Sequence, residues 1–449
     1  NKNTSECTIH FINNTKKKAP QLSETEQSIL ENQTKASLFN KQGDLILIPS
    51  SIKKKVKWTL LYYLNTSKKL SYEDLRTSIG SIILKIKSKK IASITCPISQ
   101  EELGNLETTK AFQALTEGAL LANYEFINYK SEKKKGEEIT LTFSTHKTHT
   151  LSAKKGIEIG QKTTKGVYLA RDLANTPAND CTPKKMVEII KKTFTKTPVS
   201  VQIIDEKQAK KLKMNAFLGV GQGSVNRPYL VILKYLPTPK QKPIALVGKG
   251  VTFDTGGISI KPSKSMSEMK ADMGGAATVI GAMKAISQIK PKQNVIAAIP
   301  IAENMPSATG QRPGDIVTAM NGKTIEILNT DAEGRLILAD AICYIKKSDP
   351  KIIIDIATLT GACLVALGQY AAGLFGNSKK EIDHFKTLES FTGERVWHLP
   401  LFDDFLNDLK STTADIANCS EGRYGGASTA AKFLEQFVDK TNWLHLDIA

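Results

Sequence analysis

The sequence predicts an α/β protein of two domains, a small N-terminal α/β domain and a larger C-terminal domain whose mixed sheet is flanked by helices. Three observations favour this class. The chain has 449 residues, which is enough for more than one hydrophobic core. A composition of 41% hydrophobic and 24% charged residues excludes a disordered or fibrous chain. Apolar strand-like and helical segments alternate after about residue 180, as in sheets covered by helices.

The small N-terminal domain is predicted over residues 1–155. A helix is expected at 100–124, where apolar side chains recur at helical spacing. Branched apolar residues predict strands at 44–49, 81–86 and 139–143. A linker is predicted at 156–179, with a helix over 160–173 that ends near Pro177.

The larger domain is predicted over residues 180–449. A hairpin at 315–328 should turn at Asn321-Gly322. The uncharged stretch 356–378 is long enough for a membrane span, but its threonines and glycines favour a buried strand and loops. Helices are expected at 184–195, 271–289 and 332–346, and strands at 199–205, 228–235, 243–247, 294–302 and 351–357.

The positive charge of the chain permits a nucleic-acid partner without favouring one, and no membrane partner is expected. The 62 basic residues exceed the 44 acidic ones, for a net charge of +18, but 55 of them are Lys and only 7 are Arg. Base and phosphate recognition favours Arg, so we interpret the excess as solvated surface charge. The six cysteines are far apart, without zinc or redox spacing, and no secretory signal stands at the N-terminus; both favour a cytoplasmic protein.

The chemistry is concentrated in three segments that follow apolar strands or open helices. Each has an ordinary interpretation: a glycine-rich turn at 247–262, a helix cap at Asp272, and an ion-paired helix start after residue 329. Asp331 and Glu333, two apart in an extended segment, should point the same way. Four carboxylates in one crevice would repel one another unless cations compensate, and hard divalent metals prefer such oxygen ligands. The carboxylates are Asp254, Asp272, Asp331 and Glu333, and the neighbouring cations are Lys249, Lys261 and Arg335.

These segments closely resemble the leucine aminopeptidase (cytosol aminopeptidase) family of dinuclear metallopeptidases. The octapeptide NTDAEGRL at 329–336 matches the family signature, and 248–261 and 269–277 match its other site motifs. The resemblance covers roughly residues 166–449. Further agreement lies in ARDLANTPAN at 170–179, DIATLTG at 355–361 and GRYGGA at 422–427.

The resemblance implies two divalent ions per subunit, Mn²⁺ or Zn²⁺, which activate a bridging water. Asp254 and Glu333 would bridge the ions. Lys249 and Asp272 would complete the coordination shell of one ion, and Asp331 would complete that of the other. Lys261 would polarise the scissile carbonyl, and Arg335 would hold a bicarbonate that assists proton transfer. The substrate amine would bind an ion and Asp272. The substrate-binding residues implied by the family are Met269, Thr358, Leu359, Gly361 and Ala449.

The expected activity is therefore release of N-terminal leucine and other apolar residues from peptides by a homohexamer. Cysteinyl-glycine dipeptidase activity and a DNA-binding regulatory role are the alternatives that the resemblance leaves open. A catalytically dead scaffold is disfavoured because the site residues are intact. Family members continue beyond the position of Ala449, so we expect a C-terminal tail to be missing from this sequence.

Overall fold

The computed structural model describes residues 5–12, 22–52, 55–64, 69–132, 138–422 and 424–449. The chain divides into two compact units. The first, unit 1, comprises residues 1–164 with 390–393, and the second, unit 2, comprises 165–389 with 394–449. The division falls inside one long helix at Thr150–Asn175. The α/β class predicted from the sequence is confirmed, since both units contain a mixed sheet with helices.

Unit 1 is built on a sheet of order β2-β3-β1-β4-β5, in which β2 and β3 are antiparallel and the other pairs parallel. Helices α2 and α4 pack on each other. The elements are β1 (Cys7–Ile12), α1 (Glu24–Lys35), β2 (Leu45–Ile52), β3 (Lys55–Tyr63), α2 (Tyr72–Lys87), β4 (Ser93–Pro97), α3 (Gln100–Leu103), α4 (Thr108–Asn123), β5 (Thr140–Ser144) and the start of α5 (Thr150–Asn175).

The strand predicted at 81–86 is wrong, because these residues belong to α2. The helix starts with a capping box in which Ser71 and Asp74 bond each other's backbone N–H groups. Its buried side chains, among them Leu75, Ile79 and Ile83, recur every three or four residues. This helical period, which begins before residue 81, outweighs the strand preference of the branched isoleucines.

Unit 2 is built on a larger sheet of order β15-β14-β17-β13-β8-β10-β7-β6, with β9 also pairing with β10. Strands β8, β10, β13 and β17 are mutually parallel. The strands are β6 (Ser200–Ile204), β7 (Tyr229–Tyr235), β8 (Ile244–Gly248), β9 (Gly250–Asp254), β10 (Val295–Asn304), β13 (Ile352–Ala357), β14 (Ala372–Gly376), β15 (Val396–His398) and β17 (Trp443–Asp447), and a smaller sheet holds β11 (Ile316–Thr318), β12 (Thr324–Glu326) and β16 (Ile416–Ala417).

Helices cover both faces of this sheet, as predicted. One buried cluster includes side chains of α6 and α9, and the other includes side chains of α8, α10 and α14. The helices of unit 2 are α6 (Pro183–Phe194), α7 (Glu206–Lys211), α8 (Asn215–Gly221), α9 (Gly274–Ile289), α10 (Gly334–Lys346), α11 (Gly361–Leu367), α12 (Lys379–Thr387), α13 (Glu389–Thr392) and α14 (Gly426–Glu435), with 3₁₀ turns at Met266–Ala271 and Asp403–Leu409.

The uncharged stretch 356–378 contains the end of β13, the short helix α11 and strand β14. The sequence interpretation of a strand and loops missed α11, whose N-terminus is capped by Thr360 through a bond from the Cys363 N–H. Across the described residues, no helix is long and apolar enough to cross a membrane.

Candidate metal centre

The predicted site lies at the carboxyl edge of the central parallel strands of unit 2. Lys249 follows β8, Asp254 ends β9, and Thr358 follows β13. Parallel strands bring their carboxyl ends to the same edge of a sheet, where ligand sites collect in α/β folds. This edge therefore brings together segments that are up to about a hundred residues apart in the chain.

Three of the predicted carboxylates converge there. Asp254, Asp272 and Glu333 are buried, and each offers an oxygen within 4.8 Å of the others. Asp272 does not cap α9; its Oδ1 instead accepts hydrogen bonds from Lys249 Nζ and Thr358 Oγ1, both at 2.7 Å. Its Oδ2 is buried without a hydrogen-bond partner among the described residues. An orphaned carboxylate oxygen in an all-oxygen cluster fits a hard divalent cation.

Two lysines neutralise this cluster, each bonded to a different pair of carboxylates. Lys249 Nζ lies 2.7 Å from Asp272 Oδ1 and 2.9 Å from Glu333 Oε1. Lys261 Nζ lies 2.9 Å from Asp254 Oδ2 and also pairs with Asp331. Asp331 and Glu333 thus point to different lysines. The expectation that they share one extended face is wrong, because a turn holds Asp331 and Glu333 has helical backbone angles at the start of α10.

Glycines make room for these side chains at two points. A Cβ on Gly334 would lie 2.6 Å from Lys249 Cε and 2.8 Å from its Nζ, so a larger residue would displace the ammonium group from the cluster. Gly256 has φ +87°, a conformation that side-chain-bearing residues rarely adopt. The turn it allows brings the Lys261 N–H to within 2.9 Å of the Thr255 carbonyl, which returns the chain towards Asp254.

Burial controls the titration of the cluster. It raises the pKa of Glu333 to about 8, a rise that the Asp254 charge increases and Lys249 opposes. It likewise raises the pKa of Asp272 to about 6, against the opposing charge of Lys249. Although burial disfavours its ammonium form, the carboxylates of Asp272 and Glu333 hold the pKa of Lys249 above its ordinary value. Burial therefore favours the protonated forms of Asp272 and Glu333 unless a cation lies beside them.

A cavity of about 230 Å³ opens beside the cluster. Its walls include Asp331 and Arg335 together with the predicted substrate residues Leu359 and Gly361. Arg335 is only 8% exposed; its Nη1 donates to the Asn418 carbonyl at 2.8 Å, whereas its Nε has no partner among the described residues. Burial lowers the pKa of Arg335. A buried guanidinium with a free donor fits a small anion.

The other predicted substrate residues, Thr358, Met269 and Ala449, are not among the described residues that line this cavity. Thr358 binds Asp272 and, through its carbonyl, Lys249. Met269 lies in the 3₁₀ turn, where its carbonyl accepts the Asp272 N–H. Ala449 donates its N–H to Asp447 Oδ1 at 3.3 Å. Within the motif at 422–427, Arg423 lies outside the described residues.

The sequence reasoning missed two asparagines that hold the site. Asn304 Nδ2 donates to Asp254 Oδ1 at 2.8 Å, and Asn418 Nδ2 donates to the Asn329 carbonyl at 2.7 Å. Asn304 ends the buried strand β10, so a polar residue after an apolar run at a strand end was the available signal. Asn418 follows only the two-residue strand β16 and offers no comparable signal.

An α/β fold with buried carboxylates and lysines at its strand ends, next to a cavity, fits one class of protein, the metal-dependent hydrolases. Comparison with known proteins then identifies the family. The profile described as "Cytosol aminopeptidase family, catalytic domain" matches residues 168–449, and the family's N-terminal domain matches residues 12–133. The chain belongs to the cytosol aminopeptidase family, whose members are metal-dependent peptidases.

Similar proteins agree over most of the chain. A probable cytosol aminopeptidase of Brucella ovis is 47% identical over 85% of this chain and 76% of its own length. One from Rickettsia bellii is 40% identical over 92% of this chain and 84% of its own. Among solved structures, the bottromycin maturation enzyme BotP has a TM-score of 0.86 at 27% identity, covering 99% of this chain and 92% of its own.

Proposed function

We propose that this family member is a leucyl-type aminopeptidase that removes N-terminal apolar residues from peptides with two divalent ions per subunit. One observation carries the proposal: four carboxylates and two lysines converge next to a cavity that Leu359 and Gly361 line. The ligand sets proposed are Lys249, Asp254, Asp272 and Glu333 for one ion, and Asp254, Asp331 and Glu333 for the other.

Bound divalent ions would lower the pKa of a coordinated water and polarise the scissile carbonyl. Zn²⁺ or Mn²⁺ suits a site of carboxylates with one amine, and the structure of BotP in complex with Mn supports the choice of Mn²⁺. Ligation by the Lys249 amine requires loss of its proton, because the carboxylates keep this group charged.

Lys261 is proposed to stabilise the charge that develops on the carbonyl oxygen. Although burial disfavours its charge, the carboxylates of Asp254 and Asp331 hold the pKa of Lys261 above its ordinary value, so it remains a cation at neutral pH. A fixed cation at the reacting carbonyl lowers the barrier without reorganisation. The Nε of Arg335, which has no partner within the described ranges, supports a bound bicarbonate in the cavity, which would accept and return the proton.

The restriction of cleavage to the N-terminal residue of the substrate is proposed to come from Asp272. Its Oδ2, which has no hydrogen-bond partner in the described part of the chain, provides an acceptor for a substrate ammonium or a ligand to the ion that binds the free amine. A peptide bond in the middle of a chain has no such amine, so it lacks this interaction in the transition state.

We further propose a cytoplasmic homohexamer. Large apolar side chains that are exposed on unit 2 are candidates for contacts between subunits. They include Val365 at 89%, Tyr424 at 84% and Tyr370 at 80% exposure. The cytoplasmic location is supported by the name of the family. Light scattering after gel filtration would test the assembly, and a stable monomer at micromolar concentration would contradict it.

The test of function is hydrolysis of leucine p-nitroanilide by the purified protein. Chelation should abolish activity, and Mn²⁺ or Zn²⁺ should restore it. Asp331→Asn should lower kcat/KM by two orders of magnitude or more, about 3 kcal/mol of transition-state stabilisation. Asp404→Asn, a change of an exposed carboxylate, is the control. Absence of hydrolysis with either ion in the assembled protein would overturn the proposal, and a preference for cysteinyl-glycine would revise the substrate.

A further inference from the structure

Asp447 is the last residue of β17, is 1% exposed, and binds a loop rather than solvent. In the sheet it lies opposite Ala357, the last residue of the parallel strand β13. Because both strands end at this point, the Asp447 side chain lies next to the backbone that continues from Ala357. The N–H groups of Leu359 and Thr360 donate to its Oδ1 at 3.1 and 3.3 Å, and the Thr360 hydroxyl donates to its Oδ2 at 2.6 Å.

The loop held in this way, residues 358–361, contacts the candidate metal centre directly. The Thr358 hydroxyl donates to Asp272 Oδ1 at 2.7 Å, and the Thr358 carbonyl accepts a hydrogen bond from Lys249 Nζ at 2.7 Å. The bond to Oδ1 fixes the rotation of the Asp272 carboxylate. The remaining oxygen, Oδ2, is buried and has no hydrogen-bond partner among the described residues, so it is left available to an ion.

The Asp447 carboxylate also orders one wall of the cavity. Leu359 and Gly361 line the cavity, and the Leu359 N–H is bonded to Asp447. Ala449 is tied to Asp447 Oδ1 through its own N–H at 3.3 Å. One buried side chain therefore connects a carboxylate of the metal centre with residues that would contact the substrate.

We propose that Asp447 is a positioning residue for the metal centre: through the loop 358–361 and Thr358, it orients Asp272 for binding a divalent ion. The inference rests on the proposed two-ion function and extends it to a residue outside the ligand set. Hydrogen-bond partners of metal ligands typically contribute 10- to 100-fold in metal affinity. Asp447 does not contact a proposed ligand itself but acts through the loop 358–361, so its removal should lower the metal affinity by about tenfold.

The test measures affinity for Mn²⁺ alone, without substrate, by competition with a chromophoric chelator. Asp447→Ala should weaken binding about tenfold, whereas Asp447→Asn, which keeps an acceptor oxygen, should retain most of the affinity. Thr358→Val, which loses only the hydroxyl, should weaken binding by 10- to 100-fold, and Thr358→Ser should restore it.

The matched control is Asp340→Ala. Asp340 is also a fully buried carboxylate, and it accepts the N–H groups of Phe217 and Met320 at 2.9 and 2.7 Å. Its loss should disturb the fold comparably without reaching the metal centre, so Mn²⁺ affinity should equal that of the wild type.

Hydrogen exchange at the amides of Leu359 and Thr360 shows whether the loop has loosened. Exchange should accelerate in Asp447→Ala and not in Asp340→Ala. Faster loop exchange with Mn²⁺ affinity equal to that of the control would overturn the inference. If Asp447→Ala does not fold, wild-type affinity in Thr358→Val would overturn it equally. A wild type that binds Mn²⁺ but hydrolyses no peptide would overturn the proposed function alone, and one that binds no metal would overturn both.

Discussion

Replacing Lys261 by Met should separate metal binding from catalysis. The Lys261 ammonium lies 2.9 Å from Asp254 Oδ2 and pairs also with Asp331, and both residues are proposed ligands of one ion. An ammonium group and a divalent ion therefore compete for the same oxygens. Removing the lysine should favour the ion, although it removes the cation that is proposed to act on the substrate carbonyl.

The expected magnitudes follow from the burial of the pair. Asp254 is buried, and the Lys261 side chain is 22% exposed. Removing one partner of a buried ion pair costs about 3–5 kcal/mol, and we take about 3 kcal/mol because Lys261 is partly solvated. Bound ions would neutralise the carboxylates and remove most of this cost. The cost of removing Lys261 is therefore larger in the metal-free protein than in the metal-bound protein. This difference in free energy should make metal binding tighter by at least tenfold, since about 1.4 kcal/mol corresponds to a factor of ten.

Catalysis should change in the opposite direction. A group that stabilises the oxyanion typically contributes 10²- to 10³-fold in kcat, or about 2.7–4 kcal/mol. The assays are chelator competition for metal affinity and leucine p-nitroanilide hydrolysis at saturating metal. Lys264→Met, three residues further along and exposed, is the control. Weaker metal binding together with lower kcat would show that Lys261 supports the ligand set instead, and an unchanged kcat would remove it from the chemistry.

Three further predictions concern stability and accessibility. Metal at a hundred times its dissociation constant should stabilise the fold by about 2.7 kcal/mol in thermal unfolding, and chelator should reverse this; Asp254→Asn should show no such gain. Burial raises the pKa of Asp340 to about 7. The stability that the protonated Asp340 side chain contributes is therefore complete below pH 3.8, the pKa of this group in the unfolded chain, and is lost as the pH rises through 7. Urea unfolding of Asp340→Asn should therefore vary less between pH 5 and 8 than that of the wild type, by up to roughly 3 kcal/mol; an equal slope would contradict this assignment. Cys419 is partly exposed and the other five cysteines are buried, so one thiol per chain should react with Ellman's reagent under native conditions, and Cys419→Ser should abolish the reaction.

Most elements of unit 2 could be predicted because their patterns are local. The hairpin turn at Asn321-Gly322, the helix at Gly334–Lys346 and the strand at Val295–Asn304 each carry their signal within a short window. The strand predicted at 81–86 is wrong because these six residues, taken alone, show no helical period. Its isoleucines suit a strand, but the helical period becomes visible only when the residues from Tyr72 onward are included.

The candidate site could be predicted as a set of residues but not as a set of contacts. From the sequence alone, the four carboxylates and their neighbouring cations were recognisable because each stands at a strand end or helix start inside a distinctive motif. Which lysine neutralises which carboxylate was not recognisable. The backbone between Asp331 and Glu333 turns, and the two side chains therefore reach different partners.

Asn304 and Asp447 show what depends on the tertiary structure. Asn304 reaches Asp254 because β9 and β10 are paired, and Asp447 reaches the loop 358–361 because β13 and β17 end side by side. Neither residue lies in a motif of its own, and the second pair is separated by about ninety residues. Strand order and register are set by the packing of the whole sheet between its helices, so contacts across strand ends emerge only once the sheet is assembled.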